Sequence, residues 1–182
     1  IRGNGCVAGD FNGDGFSDIY VTAAGNDALL WNDGKGHFSE GARAAGITAW
    51  GWHSGAAVGD VNDDGRPDLF VAGYTDVNAP IPSSASGFPN DHQGVRDLLY
   101  LNTGNDPNGH ARFREVGAMV GIDTRIEHGL GAVFADIDND GRLDLYVAND
   151  ANPNRLYLNV AWPGGAKVDP RGLGFRLEER AG

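Results

Sequence analysis

The sequence predicts an all-β chain built as three small antiparallel sheets of four strands each, set side by side. Three observations carry that prediction. A nine-residue acidic loop occurs three times in one register, an apolar run follows each copy, and further strand-like segments and turns recur in the same order after it. Self-similarity over the whole unit, rather than over the loop alone, indicates a repeat architecture.

The loops read Asp10-Phe-Asn-Gly-Asp-Gly-Phe-Ser-Asp18, Asp60-Val-Asn-Asp-Asp-Gly-Arg-Pro-Asp68 and Asp136-Ile-Asp-Asn-Asp-Gly-Arg-Leu-Asp144. Oxygen-bearing side chains stand at alternate positions, and a Gly at position six permits a sharp turn that gathers them around one centre. Oxygen-only donors at this density suit Ca²⁺ rather than zinc, which takes nitrogen and sulfur. An EF-hand shares the opening Asp residues but needs a Glu at position twelve and flanking helices. Here position twelve is Val21, Val71 and Val147, each inside a strand-like run, so that alternative fails three times. An Asx-type turn without metal needs one or two such residues. Three or four carboxylates in nine residues repel one another unless a cation joins them.

Before each loop stands a segment of small residues: Gly5-Cys-Val-Ala-Gly-Asp10, Gly55-Ala-Ala-Val-Gly-Asp60 and Gly131-Ala-Val-Phe-Ala-Asp136. After it come Ile19-Tyr-Val21, Leu69-Phe-Val71 and Leu145-Tyr-Val147, continuous apolar runs that suit strands covered on both faces. A third strand ends in Asn32, Asn102 and Asn159, and a fourth centres on Phe38, Phe113 and Phe175. Gly46-Ile47 and Gly121-Ile122 close the first two units. Four short strands cannot bury both sheet faces alone, whereas copies stacked around an axis can, which is the logic of a propeller blade. The expected units are 1–47, 48–122 with an insert at 74–96, and 123–182 with an insert at 162–174. Pro80, Pro82 and Pro89 mark the first insert as a loop.

The formal net charge is -11, and ten of the loop Asp residues account for most of it: without them the balance falls to -1, and three bound Ca²⁺ would bring it to -5. This acidity argues against nucleic acid, which requires a basic face. No apolar run approaches the ~20 residues that span a bilayer. The single cysteine, Cys6, aligns with Ala56 and Ala132 and is expected to be a small buried thiol.

The units resemble FG-GAP (VCBS) repeats, the calcium-loop blades of the integrin α-subunit propeller, in the style of bacterial and cartilage-acidic-protein-like variants. The resemblance covers nearly the whole chain. It departs from the literal signature, since Gly55-Ala56 and Gly131-Ala132 survive while the first unit has Gly5-Cys6 and none has the Pro. It implies three calcium sites with ligands from loop positions one, three, five, seven and nine, the seventh through its backbone carbonyl. Carried over, these are Asp10, Asn12, Asp14, Phe16 and Asp18; Asp60, Asn62, Asp64, Arg66 and Asp68; and Asp136, Asp138, Asp140, Arg142 and Asp144. Position seven is expected to vary freely. Propellers have about 4–8 blades, so three imply completion by another chain, self-association or further blades. The resemblance also implies an extracellular or periplasmic setting.

Two functions compete. The first is a calcium-stabilised binding or scaffold module for protein or carbohydrate, with the 74–96 insert on the face away from the metal loops and Trp50, Trp52 and His53 nearby. Packing is the expected role of Trp52. The alternative is part of a larger propeller enzyme, polysaccharide-cleaving or biosynthetic, with His53 and His128 converging near the axis beside Glu127. No nucleophile elbow, phosphate loop or zinc spacing supports catalysis.

Overall fold

The strands follow one another in the order that the repeat predicts. The computed structural model describes the chain except residues 77, 82–86, 123–125, 162–167, 169–171 and 179–182. The first four-stranded unit holds β1 (Gly3–Gly9), β2 (Asp18–Asn26), β3 (Ala28–Asn32) and β4 (Phe38–Glu40). The second holds β5 (Trp50–Gly59), β6 (Asp68–Thr75), β7 (Leu98–Asn105) and β8 (Ala111–Glu115), and the third β9 (Gly129–Ala135), β10 (Asp144–Asn149), β11 (Arg155–Asn159) and β12 (Phe175–Glu178). Within each unit every strand pairs antiparallel with its sequence neighbour. The one helical element described is a short 3₁₀ turn at Gly117–Met119. No described helix is long and apolar enough to cross a membrane.

The apolar runs explain how the sheets stack. All eight residues of β6 are buried. Leu69 and Val71 pack into one core with Phe11, Tyr20, Leu29 and Trp31 of the first unit. Phe70 and Ala72, pointing the other way, join Leu145, Val147 and Tyr157 of the third. Strand side chains alternate between faces, so a strand sandwiched between two neighbours is apolar on both faces, as Leu69, Phe70, Val71 and Ala72 are. Each fully buried side chain of this size contributes about 1.5–3 kcal/mol.

The closing glycines serve the same stacking. Phe113 N–H donates to the Ala45 carbonyl at 2.7 Å, tying β8 to the connection after β4. A Cβ on Gly46 would lie 2.6 Å from the Phe113 carbonyl oxygen, and its φ of +89° also favours glycine. Phe175 N–H repeats the tie one unit on, to the Val120 carbonyl.

Two features depart from the sequence reading. The first two sheets are not separate: the end of β2 pairs with the start of β5, Ala24 opposite Trp52 and Asn26 opposite Trp50, making one eight-stranded sheet. Both strands overrun their loops' hairpins, and Gly25 faces Gly51 at the crossover, both with positive φ. Cys6 is exposed rather than buried. It lies on β1, whose residues range from half-buried to exposed.

Candidate metal centre

Each acidic loop joins the first two strands of its unit, and all three adopt one hydrogen-bonded form. The position-one carboxylate accepts the N–H groups of positions five and six, as Asp10 does from Asp14 and Gly15 at 3.0 and 2.9 Å. Asp60 and Asp136 repeat this. The position-five carboxylate accepts the N–H of position seven: Asp14 from Phe16, Asp64 from Arg66, Asp140 from Arg142. Position four is left-handed in every loop, at Gly13, Asp63 and Asn139. Gly, Asp and Asn are the residues that tolerate that conformation, so this variable position carries a backbone requirement that its varying identity concealed.

Position nine differs from the other acidic positions. Asp18, Asp68 and Asp144 are fully buried. One oxygen of each accepts the N–H of loop position two, and the other accepts the N–H of the Asn that ends the third strand: Asn32, Asn102 and Asn159 at 2.8–2.9 Å. This carboxylate therefore ties the loop to the sheet. Burial, and to a lesser extent Asp64 and Asp60, pushes Asp68 up to about 7 against the opposing backbone hydrogen bonds. Burial also raises Asp18. A cation at the loop would act in the opposite sense and favour the ionised form.

Oxygen atoms of Asp136, Asp138 and Asp144 lie within 4.8 Å of one another. The first two loops place Asn12 and Asn62 where the third has Asp138, which exchanges a carboxylate for an amide oxygen and keeps an oxygen donor. The donor set thus fits a hard divalent cation in all three loops.

Position seven does not vary freely. The Arg66 guanidinium pairs with Asp64, and its Nε donates to the Asn102 carbonyl at 3.1 Å. Arg142 pairs with Asp140 and donates to the Asn159 carbonyl at 2.6 Å. In the first loop Phe16 instead lies over Gly34, where a Cβ would meet the ring at 2.5 Å. The loops with a fourth Asp are the loops with an Arg, so each nine-residue stretch carries a net charge of three negative.

The Asn ending each third strand has a second role that the sequence reading did not assign. Asn102 Nδ2 donates to the Phe11 carbonyl of the preceding unit's loop at 2.8 Å, and Asn159 Nδ2 to the Val61 carbonyl at 2.8 Å. The first and second loops are thereby latched to the next sheet. The signal was its recurrence in all three units.

On the opposite face the histidines separate. His53 is buried between the first and second units, with Nδ1 2.8 Å from Asp27 Oδ2, a contact outside hydrogen-bond angles. His128 lies at the third unit, its Nδ1 2.9 Å from Asn152 Oδ1 and its Nε2 3.1 Å from the His92 carbonyl. Glu127 pairs with Arg155. Trp52 packs edge-on to Tyr74 at 5.3 Å, as expected, while Trp50 is 55% exposed.

Comparison with known proteins agrees with the resemblance read from the loops. The family of the FG-GAP-like repeat matches residues 10–71, from the start of the first loop through the second. Human (Homo sapiens) cartilage acidic protein 1 is 28% identical over 176 residues, covering 90% of this chain and 23% of that protein. The mouse (Mus musculus) protein of that name is 31% identical over 106 residues, 58% of this chain and 16% of the relative. The Xenopus tropicalis one is 29% identical over 84 residues, 46% and 12%. The chain thus spans less than a quarter of these relatives' lengths.

Proposed function

We propose that this chain is a calcium-stabilised propeller module that presents a binding surface opposite its metal loops. Three Ca²⁺ sites would be held by side-chain oxygens at loop positions one, three, five and nine and by the carbonyls of Phe16, Arg66 and Arg142. The observation that carries the reading is the threefold recurrence of one hydrogen-bonded acidic loop, each fixed to its own sheet through position nine. A bound cation neutralises carboxylates that otherwise repel, and so holds the first hairpin of each sheet closed. The Asn102 and Asn159 latches extend that order to the neighbouring sheet.

The partner is another protein chain or a second copy that continues the stack of blades. An extracellular or periplasmic setting follows from the FG-GAP resemblance and suits calcium sites of extracellular modules, whose Kd is about 10⁻⁴–10⁻³ M. The test is thermal unfolding of wild type and Asp14→Ala in millimolar calcium and in chelator, with native mass measured alongside. Asp14 is exposed and serves mainly the loop's interior, so the variant loses stability in calcium and little in chelator. An equal loss in both conditions overturns the metal role.

A further inference from the structure

We infer that the cleft of the second unit beside the start of β5, on the face opposite the acidic loops, is a binding site for a neutral sugar. The inference names a ligand class for the binding surface proposed above and rests on that reading. Behind the cleft lies a buried polar chain that ends at His53. Tyr20 Oη donates to Asp27 Oδ2 at 2.6 Å, and Ala23 N–H donates to Asp27 Oδ1 at 2.8 Å. His53 Nδ1 completes the surroundings of that carboxylate at 2.8 Å. Both Asp27 oxygens are therefore engaged within the protein. His53 is completely buried, yet its Nε2 has no hydrogen-bond partner among the described residues.

The cleft holds a cavity of about 240 Å³ whose lining includes Thr48, Trp50, His53, Arg96, Tyr100 and Glu115. Burial, then Glu115, pushes the Tyr100 phenol up to about 12, so it stays a hydroxyl and keeps a proton to donate. Arg96 and Glu115 face each other at 3.7 Å, too far for a direct hydrogen bond. Glu115 Oε1 is occupied by the Gly117 N–H at 2.9 Å. A group between Arg96 and Glu115 must accept from the first and donate to the second. A hydroxyl does both at once, and a carboxylate or an ammonium does only one.

A second cavity, about 310 Å³, shares Trp50, Val95 and Arg96 with the first and adds Asp76 and Gln93. Trp50, 55% exposed, borders both and supplies an aromatic ring beside the polar groups of the first. An aromatic face beside paired donors and acceptors is the chemistry that a sugar ring matches, apolar on its C–H side and hydroxylated at its edge. Glu115 and Asp76 disfavour an anionic ligand, with Arg96 the one Arg or Lys in these linings. Each compartment is near or below the ~300 Å³ at which drug-sized sites begin, a size for one ring apiece.

The test titrates calcium-loaded protein with glucose, galactose, mannose, cellobiose and maltose, and with glucuronic acid and glucosamine as charged comparators. Tryptophan fluorescence and saturation-transfer NMR read binding. At least one neutral sugar binds, and binding falls at least about tenfold in Trp50→Ala and in Glu115→Gln, as anchors of this kind show on truncation. The exposed Trp50 leaves the calcium-dependent melting midpoint unchanged when replaced, which confirms that the variant folds. Binding of no neutral sugar, binding untouched by both substitutions, or a preference for glucuronic acid or glucosamine overturns the inference. A wild-type midpoint that ignores calcium overturns the module reading instead, so the two failures are separable.

Discussion

The acidic-loop edge and the opposite face of this molecule are built from the same three repeats but obey different rules. At the acidic-loop edge each unit has the same loop hydrogen bonds, the same buried position-nine carboxylate and the same strand-ending Asn. On the opposite face one device is shared: Asp27, Asp97 and Asn154 each accept an N–H from the end of the second strand, at Ala23, Gly73 and Asn149. Beyond it the gaps diverge. The first holds Tyr20, Asp27 and His53, whereas the second holds Tyr74 bonded to Asp150 at 2.9 Å and Glu127 paired with Arg155. Chemistry that every blade needs stays constant; chemistry that recognises something has one copy. Repetition therefore locates the scaffold, and its breakdown locates the candidate recognition surface.

The largest effect that sharpens this contrast is expected at Asp68. Asp68→Ala strands the Val61 and Asn102 N–H groups in the core, each worth about 1–3 kcal/mol. The loss is about 3 kcal/mol in calcium and remains visible in chelator, though smaller, because the variant also removes a buried charge. Urea unfolding in both buffers checks it. This separates position nine from position five, where Asp14→Ala loses stability only with calcium. Equal behaviour at both positions would merge the two roles and break the distinction between a ligand that also tethers the loop to its sheet and one that does not.

A smaller effect is expected at the latches. Asn102→Ala and Asn159→Ala each remove a buried amide that donates across to the preceding unit, at a cost of about 1–2 kcal/mol. Asn32 donates only to Ser17 within its own loop, at 3.0 Å and near solvent, so Asn32→Ala costs well under that. Chemical denaturation of the three variants ranks them. A ranking with Asn32 at the top would show that the amide serves its own loop rather than the seam between blades.

Most of the fold was legible because its signals are periodic. The loops had to lie between strands once Val21, Val71 and Val147 stood in apolar runs, and fully buried β6 follows from the run at Leu69-Phe-Val71. What escaped depends on partners far away in sequence. The pairing of β2 with β5 is set by Gly25 opposite Gly51, residues that look like ordinary turn glycines when read singly. Arg66 and Arg142 looked like free substitutions because Phe16 aligns with them, yet they accompany the extra acids of their loops. Cys6 was misread through its alignment with alanines, a comparison that records size and says nothing of what covers β1. At the site, spacing identified the acidic positions. It could not reveal that position nine is buried and spent on backbone N–H groups, since that needs the third strand brought alongside.

The smallest expected effect concerns repeated acids at the acidic-loop edge that lie outside the loops. Asp33 and Asp106 open the turns between the third and fourth strands of the first two units. The Lys35 and His37 N–H groups hold Asp33 below the usual carboxylate range, and those of His110 and Asn108 do the same for Asp106. A carboxylate whose folded pKa is depressed stabilises the fold above its unfolded pKa, about 3.9, and that contribution fades as pH falls through the depressed value. Asp106 also pairs with Arg112 at 3.0 Å, a surface contact that adds little. In chelator, Asp106→Ala is therefore slightly less stable than wild type at neutral pH, and the gap closes below about pH 4. Adding calcium at neutral pH should leave the gap unchanged, because this carboxylate serves a turn and not a cation. A gap that widened with calcium would draw these turns into the metal centre and extend the repeated scaffold beyond its nine-residue loops.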